Sequence, residues 1–168
     1  MRILIIALLA VFLIVIIPKT AFAQVESAMF INQSLITDQR VVALENFLNK
    51  YNSPLEPYAK EFIKAADYYE IDWRLIPSIT GIESTFGKYI PYNSYNAYGW
   101  NGGDYQFKSW PDSIWHVAEV LKTKYYDRGA KKIPQIARIY APPSVIWVGA
   151  VTHFTTEIEQ ASNLVPTL

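Results

Sequence analysis

Hydrophobic residues recur at helical spacing along most of this chain. Apolar positions three and four residues apart predict six helices, because such positions lie on one face of a 3.6-residue repeat. The predicted helices are Thr37 to about Tyr51; one from Pro57 that buries Phe62, Ile63, Ala66 and Tyr69; Asp72–Glu83 with Asp72 as its N-cap; one from Ser109 that buries Ile114, Val117, Ala118, Leu121 and Tyr125; Ile133–Tyr140; and a last one that buries Trp147, Val151, Phe154 and Ile158.

A strong turn signal interrupts the helical pattern between the third and fourth helices. The run Asn101-Gly102-Gly103-Asp104 is rich in residues that accept positive φ, and aromatic residues flank it at 98–100 and 105–107. This pattern predicts a small β-hairpin. The predicted fold is therefore a single, mainly helical domain with one hairpin beside the third helix.

One carboxylate lies inside the apolar stripe of its own predicted helix. At about 100° per residue, Glu83 falls between Ile76 and Ile79 on the helical wheel. A carboxyl group in this position loses water on folding, which favours its protonated form and raises its pKa. The alternatives are an exposed position at the helix end or an ion pair with an arginine. In the same helix, Pro77 predicts either a kink or a late start, and Gly87 is the expected left-handed stop.

The first residues have the pattern of an export signal. Met1 and Arg2 precede an apolar run from Ile3 to Ile17, and residues 21–23 read Ala-Phe-Ala, a small-residue cleavage pattern. The run is shorter than the about 20 residues of a membrane span. We therefore expect a cleaved signal peptide at 1–23, a flexible tether at 24–36 and the folded domain at 37–162, located outside the cell or in the cell envelope. An uncleaved membrane anchor is the alternative for the first segment.

The composition excludes several classes of chemistry. The chain has no cysteine, so it has neither disulfides nor a thiol nucleophile, and His116 and His153 are too isolated to form a metal site. Fifteen basic and fifteen acidic residues give zero net charge, which does not indicate a nucleic-acid-binding protein. Twelve tyrosines and five tryptophans favour either a groove for sugars or an aromatic core. We expect no cofactor and a monomer.

Three segments resemble, in order, the lysozyme-like superfamily of peptidoglycan-cleaving enzymes. Residues 69–77 and 81–87 (Tyr-Glu-Ile-Asp-Trp-Arg-Leu-Ile-Pro and Gly-Ile-Glu-Ser-Thr-Phe-Gly) resemble its catalytic helix, which ends in Glu-Ser. Residues 96–100 and 105–114 (Asn-Ala-Tyr-Gly-Trp and Tyr-Gln-Phe-Lys-Ser-Trp-Pro-Asp-Ser-Ile) resemble a glucosaminidase element, in which Asn-x-Phe-Gly precedes a hairpin and an aromatic-Ser pair opens a helix. Residues 136–142 (Ile-Ala-Arg-Ile-Tyr-Ala-Pro) resemble the Tyr-Ala turn that lines the saccharide cleft of glucosaminidases and lytic transglycosylases.

This resemblance implies an α+β lysozyme-like fold that cleaves β-1,4 bonds between N-acetylated sugars of peptidoglycan. Glu83 would be the general acid that protonates the leaving oxygen. Asp104 would activate water as a base if the two carboxyl groups lie about 6.5–9.5 Å apart. The residues expected to contact the glycan are Ser84, Tyr95, Asn96, Tyr98, Gly99, Trp100 and Tyr140. The aromatic loop from Tyr92 to Trp100 is expected to form one wall of a cleft, with Tyr140 on the opposite wall.

The resemblance leaves the branch of the superfamily open. Lytic transglycosylases have a Gly-Leu-Met-Gln element where this chain has Gly99-Trp100-Asn101-Gly102, and this difference favours hydrolysis. A lytic transglycosylase would use Glu83 as acid and then as base, without Asp104. A third alternative is a glycan-binding module of the same fold that does not cut its ligand. The alternative for Asp104 is an ordinary turn residue, and for each aromatic residue it is core packing.

Overall fold

Helices account for most of the described structure. The computed structural model describes residues 38–142 and 145–164, and these residues contain no β-strand. Their α-helices are α1 (Gln39–Lys50), α2 (Ala59–Tyr69), α3 (Leu75–Ser84), α4 (Trp110–Val120), α5 (Ile133–Tyr140) and α6 (Val145–Asn163). Short 3₁₀ turns cover Glu56–Tyr58, Trp100–Gly103 and Tyr126–Arg128, and a π-turn, Leu121–Tyr125, extends α4. The mainly helical prediction is confirmed, whereas the predicted signal (1–23) and tether (24–36) lie outside the described residues.

Helix α3 is largely buried by its neighbours. It packs against α6 and α4, while α6 also packs along α1 and α5, and α2 packs against α1 and α4. The first six residues of α3 are all buried, unlike a surface helix that buries one stripe. Gly81 allows α6 to approach closely, because a Cβ atom there would lie 2.6 Å from the ring of Phe154. The last turn of α3, which carries Glu83, is therefore held against α6.

The ends of three helices follow local signals in the sequence. Ser109 caps α4 by accepting a hydrogen bond from the backbone N–H of Asp112 (3.2 Å), as predicted. Helix α5 has the predicted bounds. Helix α1 is capped by Asp38, whose carboxylate accepts a hydrogen bond from the backbone N–H of Arg40 (2.9 Å). The cap predicted for α1, Thr37, lies outside the described residues.

Helix α3 starts later than the predicted N-cap Asp72. It begins at Leu75, with Pro77 in its first turn, so the proline marks a late start and not a kink. The carboxylate of Asp72 accepts a hydrogen bond from the backbone N–H of Arg74 (3.0 Å) and pairs with the guanidinium of the same residue (2.7 Å). Arg74 also pairs with Glu159 on α6 (2.7 Å). These ion pairs tie the entry of α3 to α6.

The end of α3 is a run of left-handed residues. Thr85, Phe86 and Gly87 have φ angles of 51°, 58° and 79°. The left-handed cap is therefore Thr85 and not the predicted Gly87. The hydroxyl of Ser84 accepts a hydrogen bond from the backbone N–H of Gly87 (2.9 Å), which stabilises this run. Positive φ at residues other than glycine costs energy. The chain turns sharply here, one residue after Glu83 and Ser84 complete the helix.

The predicted β-hairpin is absent from the described residues. Asn101 and Gly102 do have the positive φ angles that their turn signal predicts (52° and 66°), but they belong to a 3₁₀ turn. The amide of Asn96 donates to the carbonyls of Trp100 (2.9 Å) and Tyr105 (3.1 Å) and accepts from the N–H of Trp100 (3.0 Å). The side chain of Asn96 thus supports the turn, across which the backbone N–H of Tyr105 also donates to the carbonyl of Trp100 (3.3 Å).

Candidate functional site

Glu83 lies half-buried on the last turn of α3. Its Oε1 accepts a hydrogen bond from the indole N–H of Trp147 on α6 (2.9 Å). Burial raises the pKa of the Glu83 carboxyl, and the hydrogen bond from Trp147 opposes this rise only in part. The raised pKa predicted from the apolar stripe is therefore confirmed. Among the described residues, no arginine or lysine pairs with this carboxylate.

The second carboxyl oxygen of Glu83 faces the loop that precedes α4. Gly99 in this loop has a φ of +66°, and a Cβ atom built there would lie 3.1 Å from Oε2 of Glu83. Two constraints therefore favour glycine at this position: the left-handed backbone and the narrow space beside the carboxyl oxygen. The structure thus brings together two residues that the sequence assigned to one site.

Tyr140, at the end of α5, joins this loop to the last helix. Its hydroxyl donates a hydrogen bond to the carbonyl of Tyr98 (2.8 Å). The ring of Tyr140 lies 5.3 Å from the ring of Trp147 and 6.3 Å from that of Trp100. Burial raises the pKa of the Tyr140 hydroxyl well above its ordinary value, and the charge of Glu83 adds to this rise. Tyr140 thus lies beside Glu83, but it contacts the aromatic loop directly instead of facing it across a cleft.

Trp100 lies half-buried between Tyr140 and a second group of rings. The ring of His116 lies 5.7 Å from that of Trp100, in an edge-on arrangement. His116 stacks on Tyr105, with a centroid distance of 5.8 Å and 24° between the planes, and also contacts Phe107 (5.5 Å). Ring contacts therefore continue from the neighbourhood of Glu83 to Tyr105, which is 41% exposed.

Two of the predicted glycan contacts, Asn96 and Ser84, are buried and hold the backbone. The amide of Asn96 is bonded to its own loop. The hydroxyl of Ser84 lies within hydrogen-bond distance of the carbonyls of Thr80 (3.1 Å) and Ala97 (2.9 Å), and it accepts from Gly87. Because these polar groups already have partners, they fasten the loop to the end of α3 and are not accessible to a ligand.

The tyrosine rings of the aromatic loop also differ from their predicted arrangement. Tyr98 is 1% exposed, and its hydroxyl lies beside Ser113 in the core, where burial raises its pKa. Tyr95 is half-buried, and its ring packs edge-on against Trp110 (5.3 Å). Tyr92, at the start of the predicted wall, is exposed. The end of the loop, from Ala97 to Trp100, contacts the residues around Glu83.

Asp104 follows the 3₁₀ turn and is exposed to solvent. Its backbone N–H donates to the carbonyl of Asn101 (3.2 Å), and its carboxylate makes no hydrogen bond or ion pair with a described residue. No carboxylate is among the causes that shift the pKa of Glu83. This position does not support the role of base predicted for Asp104, which the Asp104→Asn variant tests.

Trp147 was not predicted to belong to the site. The helical pattern assigned it to the buried face of the last helix, and this burial is confirmed by its exposure of 3%. Its bond to Glu83 joins residues that are 64 positions apart. One signal was available, because an indole N–H is a donor only and a buried donor needs an acceptor. Which acceptor it finds depends on how α6 packs against α3.

Comparisons of the chain with protein-family models, curated proteins and solved structures found no match. In residues 38–142 and 145–164, no three His, Cys, Asp or Glu side chains form a group that could hold a metal ion. No helix within those ranges is long and apolar enough to cross a membrane.

Proposed function

We propose that this protein is an exported glycosidase that cleaves β-1,4 bonds between the N-acetylated sugars of peptidoglycan, with Glu83 as its general acid. The observation that carries the proposal is the environment of Glu83: a half-buried carboxyl with a raised pKa, bonded to a neutral donor. Such a carboxyl stays protonated at a higher pH than an exposed glutamate, so it can donate a proton to a leaving oxygen. The substrate comes from the resemblance of residues 69–87, 96–114 and 136–142 to the lysozyme-like superfamily.

The two oxygens of Glu83 have different tasks in this reaction. Oε1 accepts the indole N–H of Trp147, and an indole N–H cannot accept a hydrogen bond in return. The carboxyl proton therefore belongs on Oε2, which lies beside Gly99. Proton transfer to the glycosidic oxygen then takes place on the Gly99 side of the carboxyl, where a larger side chain would crowd the proton donor.

The sugars lie along the aromatic rings that adjoin this oxygen. Trp100 and Tyr140 contact each other near Glu83, and Tyr105 extends the ring surface outward. Large rings with polar edges suit sugars, which have both apolar faces and hydroxyl groups. The hydroxyl of Tyr140 donates to the carbonyl of Tyr98, so Tyr140 contributes its ring, and not a free hydroxyl, to this surface.

We also propose that this mainly helical domain has the α+β lysozyme-like fold. The 3₁₀ turn Trp100–Gly103 takes the place of the hairpin that the resemblance implies, between α3 and α4. Asn96 holds this turn without a β-ladder. Helix α5 contributes Tyr140 next to Glu83, as the Tyr-Ala turn of the superfamily would.

A lytic transglycosylase is the second candidate, and the isolation of Glu83 favours it. No second carboxylate adds to the pKa shift of Glu83, and the carboxylate of Asp104 has no partner among the described residues. A transglycosylase needs one carboxyl group, because a hydroxyl of the substrate attacks the intermediate. A hydrolase without a second carboxylate instead uses the N-acetyl group of the substrate to stabilise the developing charge.

Product analysis distinguishes these reactions. The protein is incubated with peptidoglycan, and the released fragments are tested for reducing ends and for anhydro-sugar ends. We expect fragments with reducing ends, and none from the Glu83→Gln variant. Anhydro-sugar ends would assign the protein to the transglycosylases. Binding of peptidoglycan without any release of fragments would reject the enzymatic function in favour of a glycan-binding module.

A further inference from the structure

A concentrated group of cations lies in the segment 122–138, which we call the basic segment. It contains six of the 15 lysine and arginine residues of the chain and one acidic residue, Asp127. Its cations are Lys122, Lys124, Arg128, Lys131, Lys132 and Arg138. Since the chain as a whole has zero net charge, the positive charge is distributed unevenly along it.

Most cations of the basic segment have no counter-ion. Lys122 pairs with Asp127 (3.2 Å) and with Glu70 (3.6 Å). Asp127, the one acidic residue of the segment, is therefore already paired. The other five cations are exposed, and none forms an ion pair with a described residue. Elsewhere among the described residues, ion pairs hold four of seven cations, Arg40, Lys50, Lys64 and Arg74, whereas Lys60, Lys88 and Lys108 are unpaired but lie far apart in the sequence. Exposed cations that are concentrated in one short segment without counter-ions create a positive potential that attracts anions.

Contacts at both ends place the basic segment next to the candidate site. The ring of Tyr125, near its start, lies 6.3 Å from the ring of Tyr140. The backbone N–H of Ala130 bonds back to the carbonyl of Tyr125 (2.9 Å), so the chain turns sharply between these contacts. At its other end the segment runs into the helix that carries Tyr140, whose ring lies 5.3 Å from that of Trp147, the residue bonded to Glu83. The positive surface therefore adjoins one wall of the site.

We propose that the basic segment binds carboxylate groups of an acidic glycan strand, so that the protein prefers charged peptidoglycan to neutral polymers of N-acetylated sugars. The identity of the polymer rests on the proposed function, whereas its acidic character rests on the unpaired cations. Peptidoglycan carries free carboxylates on its peptides, while chitin has the same acetamido groups and no charge. The residues around Glu83 bind the N-acetylated sugars that both polymers contain, and the basic segment binds the carboxylates that only peptidoglycan has.

A polymer strand fits these observations better than an anionic membrane does. The basic segment contacts Tyr140, a residue of the candidate site, through the ring of Tyr125. One strand can occupy the site and contact the basic segment at the same time. A membrane surface would reach both only if lipids entered the site.

The test measures binding of the full chain to insoluble peptidoglycan and to chitin, in a Glu83→Gln background that leaves both polymers uncut. Lys131→Gln/Lys132→Gln removes two cations of the basic segment, and the bonds of Gln135 to the backbone N–H groups there do not involve those side chains. Lys60→Gln/Lys88→Gln is the matched control, because it removes the same charge from two exposed lysines that, like Lys131 and Lys132, form no ion pair with a described residue.

We expect the basic-segment variant to lose roughly tenfold in affinity for peptidoglycan at low ionic strength, the scale of two surface cations that face an anionic layer. Its affinity for chitin should not change, and the control variant should bind both polymers normally. Because salt screens exposed charges, the difference should largely vanish at about 1 M salt.

Three results would overturn the proposal. These are unchanged binding of peptidoglycan by the basic-segment variant, an equal loss with chitin, and, in a parallel assay with vesicles of anionic lipid, a loss of binding confined to the vesicles. The proposed function is judged separately, by cleavage of peptidoglycan with residue 83 intact. Charge-dependent binding without cleavage rejects the function and supports the surface, whereas cleavage without charge-dependent binding does the opposite.

Discussion

Two glutamates of this domain accept a hydrogen bond from a tryptophan indole, yet the pKa values of their carboxyl groups shift in opposite directions. Glu83 on α3 is bonded to Trp147 of α6 (2.9 Å), and its pKa is raised. Glu61 on α2 is bonded to Trp115 of α4 (3.1 Å), and its pKa is lowered. The indole bond favours the charged carboxylate in both pairs. The opposite shifts must therefore come from the surroundings.

Neighbouring cations and burial account for the difference. The pKa of Glu61 is lowered first by the hydrogen bond from Trp115 and then by Lys64, which forms an ion pair with Glu61 (3.0 Å). Burial is the largest influence on Glu83, and no lysine or arginine of the described chain pairs with it. A neutral donor holds a carboxyl group in place and still allows it to keep its proton, whereas an added lysine makes a structural ion pair. The pair Glu61–Trp115 is thus an internal control for the candidate site.

The largest expected effect is the loss of activity in Glu83→Gln. Replacing a general acid by an amide removes the transferable proton, which typically costs on the order of 10²–10⁴ in rate. Glu61→Gln should keep nearly full activity, because this carboxyl is ionised and belongs to an ion pair. Both variants are assayed by the release of soluble fragments from peptidoglycan. Equal losses in the two variants would show that the contrast between the pairs has no bearing on function.

The next effect concerns the space beside Oε2. Gly99 and Gly102 have the same φ (+66°), but a Cβ atom at Gly99 would lie 3.1 Å from Glu83, whereas one at Gly102 would meet nothing within 4 Å. Alanine at either position should cost about 1 kcal/mol of stability through the left-handed backbone. Only Gly99→Ala should also lose activity, by roughly tenfold, because it displaces the carboxyl group. Melting temperatures and rates are measured for both variants, and similar rates would remove Gly99 from the site.

Local signals were sufficient to predict the state of Glu83 and two of the helices. The cap of α4 at Ser109 and the bounds of α5 depend on residues a few positions apart. The raised pKa of Glu83 follows from its position in the apolar stripe of one helix, because burial dominates the shift. Periodicity over a helix also predicts which face is buried, and hence the mainly helical fold.

Contacts between distant residues could not be predicted in the same way. Trp147 meets Glu83 because α6 packs against α3, and that approach depends on the missing side chain of Gly81. The positive φ angles predicted by the turn signal at residues 101–102 are confirmed. No strands form on the two sides of this turn in the described residues, and the side chain of Asn96, outside the turn, bonds the backbone of Trp100 and Tyr105. Patterns in a single segment do not show which side chain will compete for its backbone.

A smaller effect is expected when each indole donor is removed. Trp147→Phe should raise the pKa of Glu83 further, since the lost bond favoured the carboxylate. An acid must be protonated to act, so the alkaline limb of the pH–rate profile should move to higher pH, with a loss of rate below about tenfold. Trp115→Phe should raise the pKa of Glu61 and leave the profile unchanged. Both pKa values are followed by NMR of the side-chain carboxyl carbons. An alkaline limb that stays in place in Trp147→Phe would separate this bond from the reaction.

The two carboxyl groups should also contribute to stability with opposite signs. The folded state holds the Glu83 proton more tightly than the unfolded state does, so stability falls as pH rises above the ordinary pKa of 4.5. The contribution of Glu61 is present above 4.5 and is lost as pH falls through its lowered pKa. At pH 7, Glu83→Gln should therefore raise the melting temperature and Glu61→Gln should lower it, each by no more than about 4 °C. If both substitutions changed the melting temperature in the same direction, the opposite pKa shifts of Glu83 and Glu61 would be contradicted.

The smallest expected effect is that of Asp104→Asn. A catalytic base must be held where it can orient water, and its removal then costs on the order of 10²–10⁴ in rate. Asp104 is exposed, and its carboxylate has no partner among the described residues, so we expect a change below about twofold. With the rate unchanged, reducing ends among the products would point to the N-acetyl group of the substrate as the second participant, and anhydro-sugar ends would leave Glu83 as both acid and base. A loss as large as that of Glu83→Gln would instead establish a two-carboxylate hydrolase, in which substrate binding brings Asp104 to the site.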